Sequence, residues 1–225
     1  MHAVFRALLA AHGPQHWWPA DSPFEVMVGA ILTQNTSWTN VTRALAGLRD
    51  RISLDARAIL SLPTEELAKG IRPAGYFNVK AQRLQAFCRG YLESGGFERL
   101  SRLQTPELRR WLLAIHGVGP ETADDILLYA FERPVFVVDA YTRRVFTRLG
   151  LLEGGEGYEA IRHRLEASLG PDTGLFNEYH ALIVRHGKQT CRGRPLCDGC
   201  CLTGVCPFPP SAVPTESRRQ RTPPP

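Results

Sequence analysis

No uninterrupted apolar run in the 225 residues approaches the roughly 18 that a membrane helix needs, which excludes a helical spanning protein. The opening MHAVFRALLAAHG has neither a basic leader nor a small-residue cleavage site, so a cytoplasmic protein is expected. Strand patterns are nearly missing. Only Val135 to Val138 reads as extended, and it is too short and solitary to build a sheet. There is no internal repeat. The cysteines are not spread along the chain as in a disulfide scaffold: five of the six lie between Cys191 and Cys206, and Cys88 stands alone. Lysine is scarce, with three (Lys69, Lys80, Lys188) among 27 basic residues.

What is present is a basic, helical chain. The formal charge of +5 suits a polyanionic partner, although a net value does not say where the charge lies. Residues 23–35 are apolar on nearly every side, as in a fully buried helix. Residues 37–49 follow, with Ser37 as N-cap. Further helices are predicted over 55–60, 63–70, 78–93, 105–115, 120–131, 140–149, 157–169 and 174–187, several opening with proline and acids in the first turn. The fold class is therefore all-α, with ten or eleven helices. The Pro-rich polar stretch 208–225 reads as a disordered tail.

Two local patterns carry chemistry. In LLAIHGVGPETADDILLYA, Gly117-Val118-Gly119 joins two helices, and the glycines leave backbone amides at a helix N-terminus where an anion is favoured. A tight turn between helices has the same look. Asp139 follows Val137-Val138 and precedes a helix, the place of an N-cap. Capping also fixes a carboxylate in position for catalysis. The second pattern is Cys191-x5-Cys197-x2-Cys200-x5-Cys206, four thiols within sixteen residues. Four thiolates suit an iron–sulfur cluster or zinc. The pairing typical of zinc, C-x2-C twice, is absent. Cys201 is an extra thiol that stands as a possible replacement for Cys200.

LLAIHGVGPETAD, followed by VVDAYTRRVFTRLG, resembles the helix-hairpin-helix DNA glycosylases of the endonuclease III superfamily. FEVMVGAILTQNTSWTNVTRA and GYFNVKAQRL extend the resemblance over residues 17 to 206. It implies two helical domains with a DNA cleft between them: residues 20–134 with the hairpin, and 1–19 with 135–207 carrying the cysteine loop. It makes Asp139 the catalytic carboxylate, Gln34 the residue that fills the gap left by a flipped base, and Gly117, Val118 and Gly119 the phosphate-binding hairpin. The partner is double-stranded DNA with a damaged base, bound by a monomer. Cys191, Cys197, Cys200 and Cys206 correspond to the ligands of a [4Fe–4S] cluster, with zinc as the alternative, although the first gap is one residue shorter than in the family. Arg192 and Arg194 in that gap are candidates for phosphate contact.

The chain departs from the family's bifunctional members at Glu121, where they carry a lysine that forms a Schiff base. A carboxylate has no such chemistry, and Lys80 lies in another segment, so hydrolysis by water without strand cleavage is expected. Glu121 is also a dipole-favoured acid in a first helical turn. WWP with TQNTSW is closest to the 3-methyladenine branch, in which two aromatic side chains hold the flipped base; here these are Trp17 and Trp38, with Glu121 nearby. Aromatic faces attract a cationic base, whereas tryptophans also serve as core residues. The alternatives are an oxidised-pyrimidine, uracil or mismatched-thymine glycosylase on the same fold, an inactive lesion-binding protein, and a zinc-dependent helical DNA-binding protein.

Overall fold

The computed structural model describes residues 1–208, and the predicted tail lies almost entirely outside them. Among the described residues there are twelve α-helices, one 3-10 turn and no strand. The helices are α1 (His2–His12), α2 (Pro23–Leu32), α3 (Trp38–Arg49), α4 (Ala56–Ser61), α5 (Thr64–Gly70), α6 (Phe77–Glu93), α7 (Gly96–Leu100), α8 (Thr105–Ala114), α9 (Pro120–Tyr129), α10 (Ala140–Arg148), α11 (Tyr158–Leu169) and α12 (Thr173–Gln189). The all-α expectation holds. The additional helix is α7, a five-residue turn that follows Gly95 in the left-handed region, where the sequence reads as a loop. Helix α2 stops earlier than its apolar run suggests, so Gln34 and Asn35 belong to a turn, with Asn35 at φ +52°.

Side-chain caps start the helices that matter for the site. Ser22 Oγ accepts from the Glu25 amide, Ser37 Oγ from the Asn40 amide, and Asp139 Oδ1 from the Thr142 amide at 2.7 Å. The apolar faces close two hydrophobic clusters. One gathers buried residues from α2 to α9, ending at Val135; the other takes Val4 and Leu8 from α1, Leu128, the stretch Phe136–Val138, and residues of α10 to α12. Helix α9 serves both, since Ile126 and Leu127 face the first cluster and Leu128 the second.

The extended stretch 135–138 passes from the first cluster at Val135 into the second at Phe136–Val138. Its amides find side-chain acceptors in place of a sheet partner: Phe136 N donates to Glu166 at 3.0 Å and Val138 N to the Tyr158 hydroxyl at 3.4 Å. Helix α9 is fixed in rotation by charge. Asp124, fully buried, receives two bonds from Arg109 of α8 (2.7 and 3.1 Å) and lies 3.8 Å from Arg162 of α11. With Asp124 held on that side, Glu121 and Asp125, one turn apart, share another face.

Candidate active site and nucleic-acid interface

Helices α8 and α9 form a hairpin whose bend is Ile115 to Gly119. Val118 N donates to Ile115 O at 3.0 Å, and the Val118 side chain enters the first cluster at 6% exposure. Gly117 sits at φ +86°, and a Cβ there would lie 2.3 Å from Cγ of Arg83, so both backbone and space demand glycine. Gly119 differs: it is exposed, and a Cβ would meet nothing within 4 Å. Its surroundings are open to an approaching backbone or phosphate at the start of α9.

Gln34 reaches this hairpin from the turn after α2. Its Nε2 donates to Gly117 O (3.0 Å) and Thr122 Oγ1 (2.9 Å), and its Oε1 accepts from Arg83. Gln34, Arg83 and residues 117–122 thus line one open groove, closed at the far side by Tyr158. Lys80, one turn before Arg83 on α6, holds this corner from behind. It is 1% exposed and donates to Leu32 O (2.9 Å) and Ala74 O (2.7 Å), the first of these at the end of α2. Burial and then Arg83 lower its pKa to about 8. This amine is committed to the scaffold.

Beside the groove lies a cavity of about 270 Å³ whose walls include Trp17, Trp18, Trp38, Glu121, Asp125, Asp139, His180 and Lys188. The structure brings the four residues Asp139, Glu121, Trp17 and Trp38 to one place. The indoles are not parallel plates. Trp17 and Trp38 have centroids 5.0 Å apart at 66°, and Trp18 meets Trp38 at 4.9 Å and 85°. They are in edge-to-face contact, so holding a base between Trp17 and Trp38 requires one ring to turn. Trp18 was not singled out in the sequence, yet it is the indole that packs on Gly29 of α2 and on Tyr129.

Asp139 is 9% exposed. Burial opposes its ionisation, but His180 and the Thr142 amide outweigh that effect and hold its pKa below the ordinary carboxylate value. His180 Nε2 faces Asp139 Oδ2 at 3.7 Å, and on its other side His180 Nδ1 lies 2.6 Å from the Tyr129 hydroxyl. Burial raises the Tyr129 pKa well above the usual phenol range, so this hydroxyl keeps its proton and is able to donate to Nδ1. His180 is thereby held between the hydroxyl and the carboxylate, with Nε2 buried and without a hydrogen-bond partner among the described residues. Glu121 stands at the cavity mouth, its pKa raised by the surrounding protein and then by Asp139. Lys188, exposed at the rim, lies 5.8 Å from the Tyr141 ring centre. Sequence reasoning missed His180, Asp125, Lys188 and Arg83. Arg83 lay inside a segment already noted; His180 and Lys188 sit on a long helix without any distinguishing local pattern.

The cysteines occupy a separate place. Cys191, Cys197, Cys200 and Cys206 line a single small cavity of about 30 Å³ together with Val145, Leu149 and Leu202, and all six cysteines of the chain are free thiols. Cys201 points elsewhere: its sulfur lies with the ring nitrogens of His12 and His186, these atoms all within 4.8 Å of one another. Four converging thiols in an apolar surround fit a cluster or metal held by thiolates. Arg148 of α10 donates to Cys191 Sγ (3.2 Å) and to the carbonyls of Arg192 (2.6 Å) and Gly193 (2.8 Å), and Arg144 donates to Cys191 O (2.8 Å). The loop is thereby fastened to the helix that Asp139 caps, and Arg192 and Arg194 are exposed on it.

Residues 28–171 match the model of the HhH-GPD superfamily of base excision DNA repair proteins. A candidate DNA repair glycosylase of Methanocaldococcus jannaschii is 46% identical over 209 residues, covering 92% of this chain and 95% of the relative. Among solved structures, an H. pylori 3-methyladenine DNA glycosylase bound to 1,N6-ethenoadenine is 28% identical, with a TM-score of 0.72 over 83% of this chain and 96% of that one. An endonuclease III–DNA complex shares the fold at a TM-score of 0.80 and 21% identity, over 92% and 94% of the two chains.

Proposed function

We propose that this chain, which belongs to the HhH-GPD superfamily of base excision DNA repair proteins, is a monofunctional DNA N-glycosylase that releases an alkylated purine such as 3-methyladenine. The observation that carries the reading is Asp139: a carboxylate held ionised at the floor of a nucleotide-sized cavity, beside a glycine hairpin with open amides. A base must leave the duplex stack before its glycosidic bond is reached. Gly119 and the first amides of α9, with Arg192 and Arg194, hold phosphates, and Gln34 fills the vacated space. For that, Gln34 exchanges its bonds to Gly117 and Thr122 for contacts with DNA bases.

As the glycosidic bond breaks, positive charge develops on the sugar. Asp139 stabilises it and orients the attacking water, while the neighbouring His180 keeps the carboxylate in its charged form. The substrate preference rests on the cavity walls. Three indoles and the ionised Asp139 make an electron-rich enclosure suited to a cationic base. Cys191, Cys197, Cys200 and Cys206 are the residues that would hold a [4Fe–4S] cluster, which when bound gives structural cross-linking to a loop short of apolar residues. The ionised, positioned Asp139 also speaks against a purely lesion-binding protein.

The test is base release from duplexes carrying one 3-methyladenine analogue, uracil or thymine glycol, read with and without alkali. We expect release of the methylated purine, strand breaks only after alkali, and no borohydride-trapped complex. Preferred release of thymine glycol or uracil would move the protein to the oxidised-pyrimidine or mismatch reading. Efficient trapping that vanishes in Lys188→Ala would replace water with the amine at the cavity rim.

A further inference from the structure

The hydrolysis above assigns no work to Asp125. This residue lies one turn beyond Glu121 on α9, so both carboxyls project from one helix face. It is 5% exposed and lines the cavity. Its Oδ1 is sealed from solvent and has no hydrogen-bond partner among the described residues. The contrast with its neighbour is plain: Asp124 is as deeply buried but takes two bonds from Arg109. Buried carboxyls are ordinarily paired, and one left unpaired in the wall of a ligand-sized cavity is a polar group whose partner arrives with the ligand.

We propose that Asp125 delivers a proton to the departing base, and that this extends excision from cationic to uncharged damaged purines. The inference rests on the glycosylase reading and adds a leaving-group acid to it. A cationic alkylated purine leaves as a neutral molecule without help. An uncharged purine takes the bonding electron pair with it as an anion unless a ring nitrogen is protonated. In the proposed step the carboxyl proton of Asp125 moves to a ring nitrogen of the base. The C1′–N electron pair passes to the base, which departs neutral. Water adds to the sugar cation beside Asp139, and the proton it releases restores the acid. The sum is glycoside plus water giving free base and abasic sugar.

The surroundings suit that division. Asp125 shares the cavity with Glu121 of its own helix, Asp139 at the head of α10, and His180 and Lys188 of α12; Asp124 and Tyr129 are its other titratable neighbours on α9, and Arg109 of α8 is engaged by Asp124. The α2–α3 turn contributes the uncharged Thr33, Asn35 and Thr36, and the start of α3 contributes Trp38, to the same cavity. Burial, then Glu121, Asp139 and Asp124, raise Asp125 well above the ordinary carboxylate range, while His180 keeps Asp139 below it. Two carboxyls of one cavity are thus driven to opposite protonation states, the arrangement of an acid and an electrostatic stabiliser.

The experiment compares single-turnover release of 1,N6-ethenoadenine and of 3-methyladenine by wild type, Asp125→Asn and Asp125→Ser, with melting temperature and abasic-duplex affinity measured for each. We expect the ethenoadenine to 3-methyladenine rate ratio to fall about a hundredfold in both Asp125 variants. Wild type should also lose ethenoadenine release as pH rises and Asp125 ionises, and Asp125→Asn should lack that alkaline limb. An unchanged ratio in folded Asp125 variants overturns the proposal. So does a wild type that releases methylated but not uncharged purine, which leaves the glycosylase reading standing. Failure to release any base defeats both.

Discussion

The cavity draws its walls from stretches far apart in the chain, residues 17–18, 33–38, 121–125, 139–141 and 180–188, whereas the thiol pocket comes from residues 191–208 laid against α10 and the end of α12. In the cavity each side chain is placed by packing: Trp18 by Gly29 and Tyr129, Asp125 by the rotation that Asp124 imposes on α9, Asp139 by its cap bond to Thr142. In the loop, placement depends on four thiols and on the guanidinium groups of Arg144 and Arg148, because few apolar residues are present to do it. One region is assembled by the whole fold and the other by local bonding. They should therefore fail differently.

The sharpest break is at the carboxylate. Asp139→Asn keeps the cap acceptor and removes the charge, so base release should fall at least about a hundredfold while abasic-duplex affinity and melting temperature stay near wild type. Unchanged release in single-turnover assays would remove Asp139 from the chemistry.

The loop offers the next contrast. Cys197→Ser should reduce bound metal about tenfold or more, bleach any brown colour and expose the loop to protease, whereas Cys201→Ser, whose sulfur faces His12 and His186, should keep both metal and protection. Equal losses in the two variants would reassign the ligands. Tryptophan fluorescence from the distant cavity should remain unaltered in either variant.

The smallest effect concerns pH. The proposed hydrolysis uses Asp139 ionised, and its pKa is depressed in the folded chain. Base release and the stability this group contributes are therefore present at neutral pH and lost only as pH falls through that depressed value. His180→Asn removes the imidazole and leaves burial dominant. The acid limb of the rate profile should then move upward, costing several-fold in mildly acidic buffer and little at alkaline pH. A profile that does not move would mean that His180 only fills space.

How far these regions were legible in the sequence follows from the same contrast. The four thiols and the hairpin glycines are visible because their chemistry needs fixed local spacing, while Asp139 is visible locally as an N-cap and needed the family resemblance for its catalytic role. Trp17, Trp38 and Glu121 required a family resemblance to be gathered, since nothing local joins residue 17 to residue 121. His180 was invisible: it lies on a long helix whose apolar face explains every neighbour. Asp125 had a signal that went unused. Two adjacent acids in an apolar helix, one of them a turn after Glu121, point to different sides and cannot both face the arginines that pair with Asp124. The fold class was plain from the helical periodicity, while α7 and the end of α2 were set by left-handed residues, Gly95 and Asn35, that periodicity does not register.

The second hydrophobic cluster takes α1 from the beginning of the chain and α12 from its end. On the ribosome, Val4 and Leu8 emerge long before the helix that covers them, and the tryptophans reach solvent well ahead of His180. The helices of the first cluster, α2 to α9, all precede α10 in the chain. A nascent chain therefore holds the α8–α9 bend well before the cavity gains the wall that α12 contributes through His180, Val184 and Lys188. Completion of that cavity waits on the last helix to be made.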